Sequence, residues 1–79
     1  GAFKQASFVN ETEDTVELWW QGADGSEKSY GKLAAGERFN IRTRPGAVWV
    51  VKDDSQKRLG FFVIEEGNFA RVLGVIPQP

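Results

Sequence analysis

Histidine and cysteine, the side chains that most often act as general bases, nucleophiles or transition-metal ligands, are both absent from the 79 residues. Disulfides, thiolate chemistry and cysteine-ligated zinc are therefore excluded. Catalysis would have to rely on Asp, Glu, Lys or Tyr alone, in a chain too short to form a deep cleft around them. We predict a protein that is not an enzyme and that uses no metal and no cofactor.

Neighbouring acidic residues are the first candidates for chemistry, because paired carboxylates can transfer protons or bind Ca²⁺. They form a cluster at residues 11–17 and two adjacent pairs, Asp53-Asp54 and Glu65-Glu66. None of these groups has the spacing of a known calcium-binding loop such as the EF-hand. Because adjacent acids are typical of solvated turns, the sequence favours a structural role for them.

Three arginines, Arg38, Arg42 and Arg44, lie in or just after one predicted strand and could together hold a phosphate or an acidic peptide. The alternative is ion pairing across strands with the glutamates Glu17, Glu27 or Glu37. With 10 basic and 11 acidic residues the net charge is −1, so no strong positive field supports anion binding and ion pairing is favoured. The same balance argues against a nucleic-acid or membrane partner, and no apolar run approaches the about 20 residues of a membrane span.

Aromatic residues are the candidates for binding, and the chain contains three tryptophans and one tyrosine. Trp19 and Trp20 are consecutive, so in a strand their rings point to opposite faces and only one can enter a given core. Trp49 lies in an apolar run, and Tyr30 is flanked by a serine and a glycine. The pattern leaves two interpretations open, because large rings can fill the core of a small domain or be exposed on a binding surface.

Turn-forming residues recur at short intervals and divide the chain into runs typical of strands. Apolar and polar residues alternate along several of these runs, as in strands that bury one face. Asp24-Gly25 is the clearest hairpin signal, because glycine readily adopts the positive φ that tight hairpin turns need. The predicted strands are residues 5–10, 15–21, 27–33, 38–43, 47–52, 58–64 and 68–76.

These runs predict an all-β fold, a seven-stranded antiparallel β-sandwich, formed by one domain over residues 1–79 with frayed ends at 1–4 and 77–79. The run 58–64 is apolar on both faces, which predicts a central or covered strand. Asn10-Glu11-Thr12 matches the N-glycosylation pattern, but for Asn and Thr at a turn we expect local hydrogen bonds instead.

Several short motifs follow one another in a distinctive order along most of the chain. They read FVN at 8–10, VELWW at 16–20, DG at 24–25, YGKLAAG at 30–36, TRPG at 43–46 and WVVKD at 49–53. This ordered set resembles the β domain of the von Hippel–Lindau tumour-suppressor protein, and the spacings fit without gaps. The resemblance covers about residues 7–62 and implies a seven-stranded β-sandwich, which agrees with the strand pattern.

In that family the domain binds an extended peptide of hypoxia-inducible factor that carries a 4-hydroxyproline, and the peptide is added along an exposed strand. The resemblance assigns the aromatic walls of the ring pocket to Trp20 and Trp49. It assigns to Tyr30 the hydrogen bond that a tyrosine makes to the peptide at the hydroxyproline. Thr43 stands where the family has the serine that holds the ring hydroxyl.

Two positions of this predicted site depart from the family. Ala47 replaces a histidine that also holds the hydroxyl, and Arg44 replaces an aromatic residue that contacts the peptide. A lost hydrogen bond to a buried hydroxyl costs about 1–3 kcal/mol, so the preference for hydroxyproline should fall by about one to two orders of magnitude unless Arg44 or Arg42 substitutes as donor. We expect no elongin C partner, because the 79 residues contain no segment like the helical domain that recruits it in the family.

The favoured function is a protein- or peptide-binding module that takes an extended segment containing proline or hydroxyproline across Trp20, Tyr30, Thr43, Arg44 and Trp49. One alternative is a carbohydrate-binding accessory module, in which exposed tryptophans stack on sugar rings. The other is a structural or scaffold domain of a larger protein without a ligand, since a fold does not fix a function.

Overall fold

The computed structural model describes residues 3–65 and 71–77. Seven strands occur in these ranges, and their predicted number and order are confirmed. The strands are β1 (Lys4–Asn10), β2 (Val16–Gln21), β3 (Glu27–Leu33), β4 (Arg38–Thr43), β5 (Val48–Asp53), β6 (Arg58–Val63) and β7 (Arg71–Ile76). The described ranges contain no helix, and hence none long and apolar enough to cross a membrane.

Most strand boundaries lie within one residue of the predicted ones. The exception is β7, which was predicted to begin at residue 68 but is described only from Arg71, because residues 66–70 lie outside the described ranges. Lys4, which we expected in a frayed end, begins β1 and is buried, since β1 pairs with a neighbour on each side. Of the predicted frayed C-terminal end, only Pro77 is described.

The strands form two sheets, with the strand orders β4-β1-β7 and β3-β2-β5-β6. The described strand pairs are antiparallel, with the exception of β1 and β7, which run in parallel. The prediction of a fully antiparallel arrangement is therefore wrong at this pair. Successive strands alternate in direction, so the first and the seventh run the same way and form a parallel ladder when long-range packing makes them neighbours.

The two sheets pack on each other, and the core lies between them. At its centre the Phe8 ring of one sheet lies 5.5 Å from the Trp49 ring and 5.4 Å from the Phe62 ring of the other. Alternation along the strands supplies these inward side chains, as Val16 and Leu18 illustrate in β2. The buried cluster consists of Ala6, Phe8, Val16, Leu18, Leu33, Trp49, Val51, Ile64 and Ile76.

Strand β6 occupies an edge of the four-stranded sheet. We had predicted a central or covered strand, because both of its faces are apolar. Its outward side chains Leu59, Phe61 and Val63 are instead about half exposed. The prediction of a central or covered strand is therefore wrong, because apolar residues on both faces do not determine the position of a strand in its sheet.

Asn10 fastens the turn that follows β1, and its side chain is fully buried. The Asn10 Nδ2 donates to the backbone carbonyls of Asp14 at 2.7 Å and Leu33 at 2.9 Å. Its Oδ1 accepts from the backbone N–H and from the hydroxyl of Thr12. The local hydrogen bonds that we predicted for this motif are confirmed, and the buried amide is not available for glycosylation in the folded protein.

Candidate ligand-binding site

The residues that the sequence assigned to peptide binding surround one cavity of about 450 Å³. Its lining includes Trp20 and Tyr30 from the four-stranded sheet and Thr43 from the three-stranded sheet. Strands β3 and β4, which contribute to this lining, are both edge strands. The cavity therefore opens between the two sheets, at a side of the sandwich where two edges meet.

Trp49 and Thr43 are joined at the base of the cavity. The Trp49 indole is 1% exposed, and its Nε1 donates to the buried Thr43 hydroxyl oxygen at 3.2 Å. Alternation in β4 keeps Thr43 on the inward side with Phe39 and Ile41, and Pro45 does not reverse it. The Thr43 hydroxyl uses its oxygen to accept from Trp49, so its proton can still be donated. None of the described side chains accepts this proton.

Tyr30 reaches the cavity because of an irregularity in β3. The ladder opposes Leu18 to Gly31 but Trp19 to Ser29, so Tyr30 is the extra residue of a β-bulge. Gly31 has a φ of +109°, a conformation that glycine adopts without the usual steric cost. The Tyr30 ring meets the Trp49 ring edge-on at 4.9 Å and is 37% exposed, so it forms an aromatic wall that a ligand can contact.

Trp20 forms the second exposed aromatic wall. It lies opposite Trp49 in the ladder between β2 and β5, and 36% of its surface is exposed. Gly22 follows closely, and a Cβ at this position would lie 3.4 Å from the Trp20 ring. The small residue therefore leaves the ring accessible at the end of the strand.

Ala47 lines the cavity where the family resemblance expects a histidine, and it is half-buried against the core. Its methyl group offers no hydrogen bond. The lining of the cavity therefore combines aromatic walls with two hydroxyl groups, those of Thr43 and Tyr30. This surface suits a small apolar ring better than a highly hydroxylated ligand.

Arg42 and Arg44 form the rim with Phe3. Their guanidinium carbons lie 5.1 Å and 4.8 Å from the centre of the Phe3 ring. We did not predict a role for Phe3, because a single apolar residue near the chain end carries no signal of its contacts. All three residues line the cavity.

The predicted pairing of the arginines with glutamates is wrong in the described part of the chain. Glu17 accepts from Ser29 and Gln56, Glu27 pairs with Lys52, and Glu37 accepts from the Ala34 backbone N–H. The register explains the mismatch, because β4 pairs with β1 and lies in the other sheet from Glu17 and Glu27.

Trp19 lies on the other face of its sheet, away from the cavity. The Lys52 ammonium sits 4.5 Å from its ring centre, and the buried Trp19 Nε1 has no hydrogen-bond partner among the described residues. Of the two interpretations that the sequence left open, Trp49 follows the core one and Trp20 the exposed one. The carbohydrate-binding alternative would therefore have to do without Trp49 as an exposed ring.

The described acidic residues lie outside the cavity lining. They accept hydrogen bonds in turns or form ion pairs on the surface. Asp53 accepts from the backbone N–H groups of Ser55 and Lys57, and Asp54 lies 3.6 Å from Lys32. The hydrogen bond from Ser29 lowers the pKa of Glu17. In the same ranges, 3–65 and 71–77, the acidic side chains form no cluster that could hold a metal ion.

Comparisons with known proteins give a fold relative and no family. No protein-family model matches the chain, and no curated protein matches it. A solved structure described as the NMR structure of a protein from Eubacterium rectale is similar over 99% of this chain and 86% of its own, with a TM-score of 0.60 and 17% identity. At this identity the likeness concerns the fold alone, which is an all-β arrangement of two packed sheets.

Proposed function

We propose that this chain is a peptide-binding module similar to the β domain of the von Hippel–Lindau protein. It would bind an extended segment and take a proline or 4-hydroxyproline ring into the cavity. The observation that carries the proposal is that Trp20, Tyr30, Thr43 and Trp49, assigned from separate parts of the sequence, line one cavity.

The shape and chemistry of the cavity suit a five-membered ring. Tyr30 and Trp20 offer partly exposed aromatic faces, and Trp49 closes the interior behind them. A proline ring is compact and apolar, and it fixes φ of the peptide in advance, so less conformational entropy is lost when the peptide binds.

The backbone of the bound segment would pair with β4. This strand pairs with β1 on one edge and has no described strand on the other. An open edge offers unpaired N–H and C=O groups, which an added strand can satisfy. Because Thr43 ends β4 and lines the cavity, backbone pairing and ring insertion would occur side by side.

Hydroxylation of the ring would matter less here than in the family. Thr43 can donate its proton to a ring hydroxyl, but Ala47 provides no second partner. A hydroxyl that keeps only one of two hydrogen bonds loses about 1–3 kcal/mol. We therefore expect both proline and hydroxyproline peptides to bind, with a preference of less than about tenfold for the hydroxylated form.

An amide chemical-shift titration would test the proposal. An extended peptide with one central 4-hydroxyproline is compared with its proline twin and with a twin that has alanine at that position. Shifts around Trp20, Tyr30, Thr43 and Trp49 for the two ring-bearing peptides, and weaker shifts for the alanine twin, would support the site. No shifts with any of the three peptides would contradict it and favour the scaffold alternative.

Two variants would link the shifts to the cavity. Tyr30→Phe removes one hydroxyl from a half-exposed ring, and Thr43→Ser keeps the hydroxyl that accepts from Trp49. We expect Tyr30→Phe to weaken peptide binding and Thr43→Ser to preserve it. Trp19→Phe, on the opposite face, is the matched control. If Tyr30→Phe binds as tightly as the wild type, the tyrosine assignment is wrong.

A further inference from the structure

The rim of the cavity is positively charged, although the chain as a whole is not. Arg42 and Arg44 line the cavity, and the Lys28 ammonium, outside the lining, lies 5.4 Å from the centre of the Tyr30 ring. None of the described lining residues is acidic. The chain has a net charge of −1, so the local charge at this opening is opposite in sign to that of the whole protein.

The two arginines keep their charge available to a ligand. Both guanidinium groups lie over Phe3, and neither takes part in an ion pair within residues 3–65 and 71–77. Packing on an aromatic ring orders a guanidinium without neutralising it, and its N–H donors stay free for oxygen ligands. The rim therefore presents two cations that pack on the same aromatic ring.

The alternation of side chains along β4 determines where the two arginines lie relative to the ring of a bound peptide. In β4, Thr43 points inward to the cavity, while Arg42, one residue earlier, is exposed. In a segment paired with β4, the residue opposite Thr43 would share its inward direction. The residues directly before and after it would face the side of Arg42 and Arg44.

Resting on the proposed function, we propose that the site selects an acidic peptide. This peptide carries an aspartate or glutamate directly before or after the residue whose ring enters the cavity. Charge complementarity with Arg42 and Arg44 carries this assignment, and the alternation of the strand fixes the offset at one residue. An acidic side chain two residues away would point inward with the ring, away from the side that Arg42 and Arg44 face.

A set of proline peptides would test this inference. The neutral parent has glutamine on both sides of the proline, and glutamate replaces glutamine either one or two residues away, before or after the ring. We expect at least one adjacent glutamate to tighten binding about three- to tenfold at low salt, and the gain to shrink as salt screens the charges. Glutamate two residues away should give no gain.

Substitutions in β4 would identify the cations responsible. In the double variant Arg42→Gln/Arg44→Gln, the affinity ratio between the glutamate peptide and its glutamine twin should fall to about one. Arg38→Gln removes the same charge from the same strand outside the cavity lining and should keep the wild-type ratio.

The outcomes separate this inference from the proposed function. If the neutral parent binds at the cavity but no adjacent glutamate improves binding, the acidic-peptide inference is wrong and the proposed function stands. If none of the peptides binds, both are wrong. If Arg38→Gln reduces the ratio as much as the double variant does, the gain reflects general charge and the assignment to the rim fails.

Discussion

At the scale of single residues, the proposed preference for a hydroxylated ring would depend on one alanine, Ala47. Ala47 lines the cavity next to the hydroxyl of Thr43, which already accepts from Trp49 and has its own proton to donate. A hydroxylated ring would therefore find one partner where two are needed for strong discrimination. The proposed preference for an acidic peptide would depend on other residues, Arg42 and Arg44 at the rim, and not on Ala47 and Thr43.

Ala47→His should raise the preference for the hydroxyproline peptide over its proline twin by about tenfold or more, because it adds a second hydrogen-bonding group to the cavity. The ratio of the two dissociation constants, measured by titration calorimetry, checks this. Ala47→Leu adds bulk without a donor and should not raise the ratio. An unchanged ratio in Ala47→His would contradict the proposed position of the ring hydroxyl.

Asn10→Ala should lower the free energy of unfolding by about 2–4 kcal/mol, because it leaves the buried Leu33 carbonyl and the part-buried backbone groups of Thr12 and Asp14 without their partner. Urea denaturation gives the difference. Asn40→Ala is the matched control, since Asn40 is exposed and accepts one hydrogen bond, from Ser7 at 2.6 Å. Equal losses for the two variants would mean that burial of Asn10 contributes little.

At the scale of elements, a bulge and a parallel strand shape the molecule most. The bulge at Gly31 turns Tyr30 toward Trp49, while Ser29 remains on the other face and donates to Glu17. On the far side of the three-stranded sheet, β7 joins β1 in parallel and brings Gly74 beneath the Phe8 ring. The bulge thus places Tyr30 in the candidate site. The parallel pairing of β7 with β1 completes the core around Phe8.

Gly74→Ala should destabilise the fold by about 1–3 kcal/mol, because a Cβ at this position would lie 2.6 Å from Cδ1 of Phe8. The loss should shrink when Phe8→Leu is combined with it, since the smaller side chain relieves the overlap. Chemical denaturation of the two single variants and the double variant measures this coupling. Strict additivity would show that the Phe8 ring is not the source of the cost.

At the scale of the whole molecule, the chain has no histidine, and hydrogen bonds lower the pKa of two carboxyls, Glu17 and Asp24, so both contribute to the response to pH. The hydrogen bond from Ser29 is the main cause of the lowered pKa of Glu17, with smaller contributions from Gln56 and nearby lysines. A carboxyl whose pKa is lower in the folded state stabilises the fold above its unfolded pKa. That contribution is lost as the pH falls through the folded pKa.

We expect the free energy of unfolding to change little between about pH 6 and 8 and to decrease below about pH 4.3, the ordinary pKa of glutamate. Ser29→Ala should be less stable than the wild type at pH 7, and the difference should narrow as the pH falls through the lowered pKa of Glu17, because the carboxyl then becomes protonated. Denaturation curves across this range provide the measurement. A difference that is constant with pH would exclude Glu17 as its origin.

The sequence by itself determined the all-β class, the number of strands and most of their boundaries. These properties depend on local signals, namely turn residues and an alternation of period two that the chain carries within each run. The resemblance also selected four residues, Trp20, Tyr30, Thr43 and Trp49, that line a common cavity.

Only the tertiary structure decided which strands became neighbours, and the site depends on that choice. The parallel pairing of β1 with β7, the edge position of β6 and the meeting of β3 with β4 around the cavity arise between residues far apart in the chain. The alternation within a strand indicates which of its side chains share a face. It does not indicate which other part of the molecule packs against that face. The contact of Phe3 with Arg42 and Arg44 follows for the same reason, because the antiparallel pairing of β1 with β4 places Lys4 opposite Thr43 and so brings Phe3 to the end of β4.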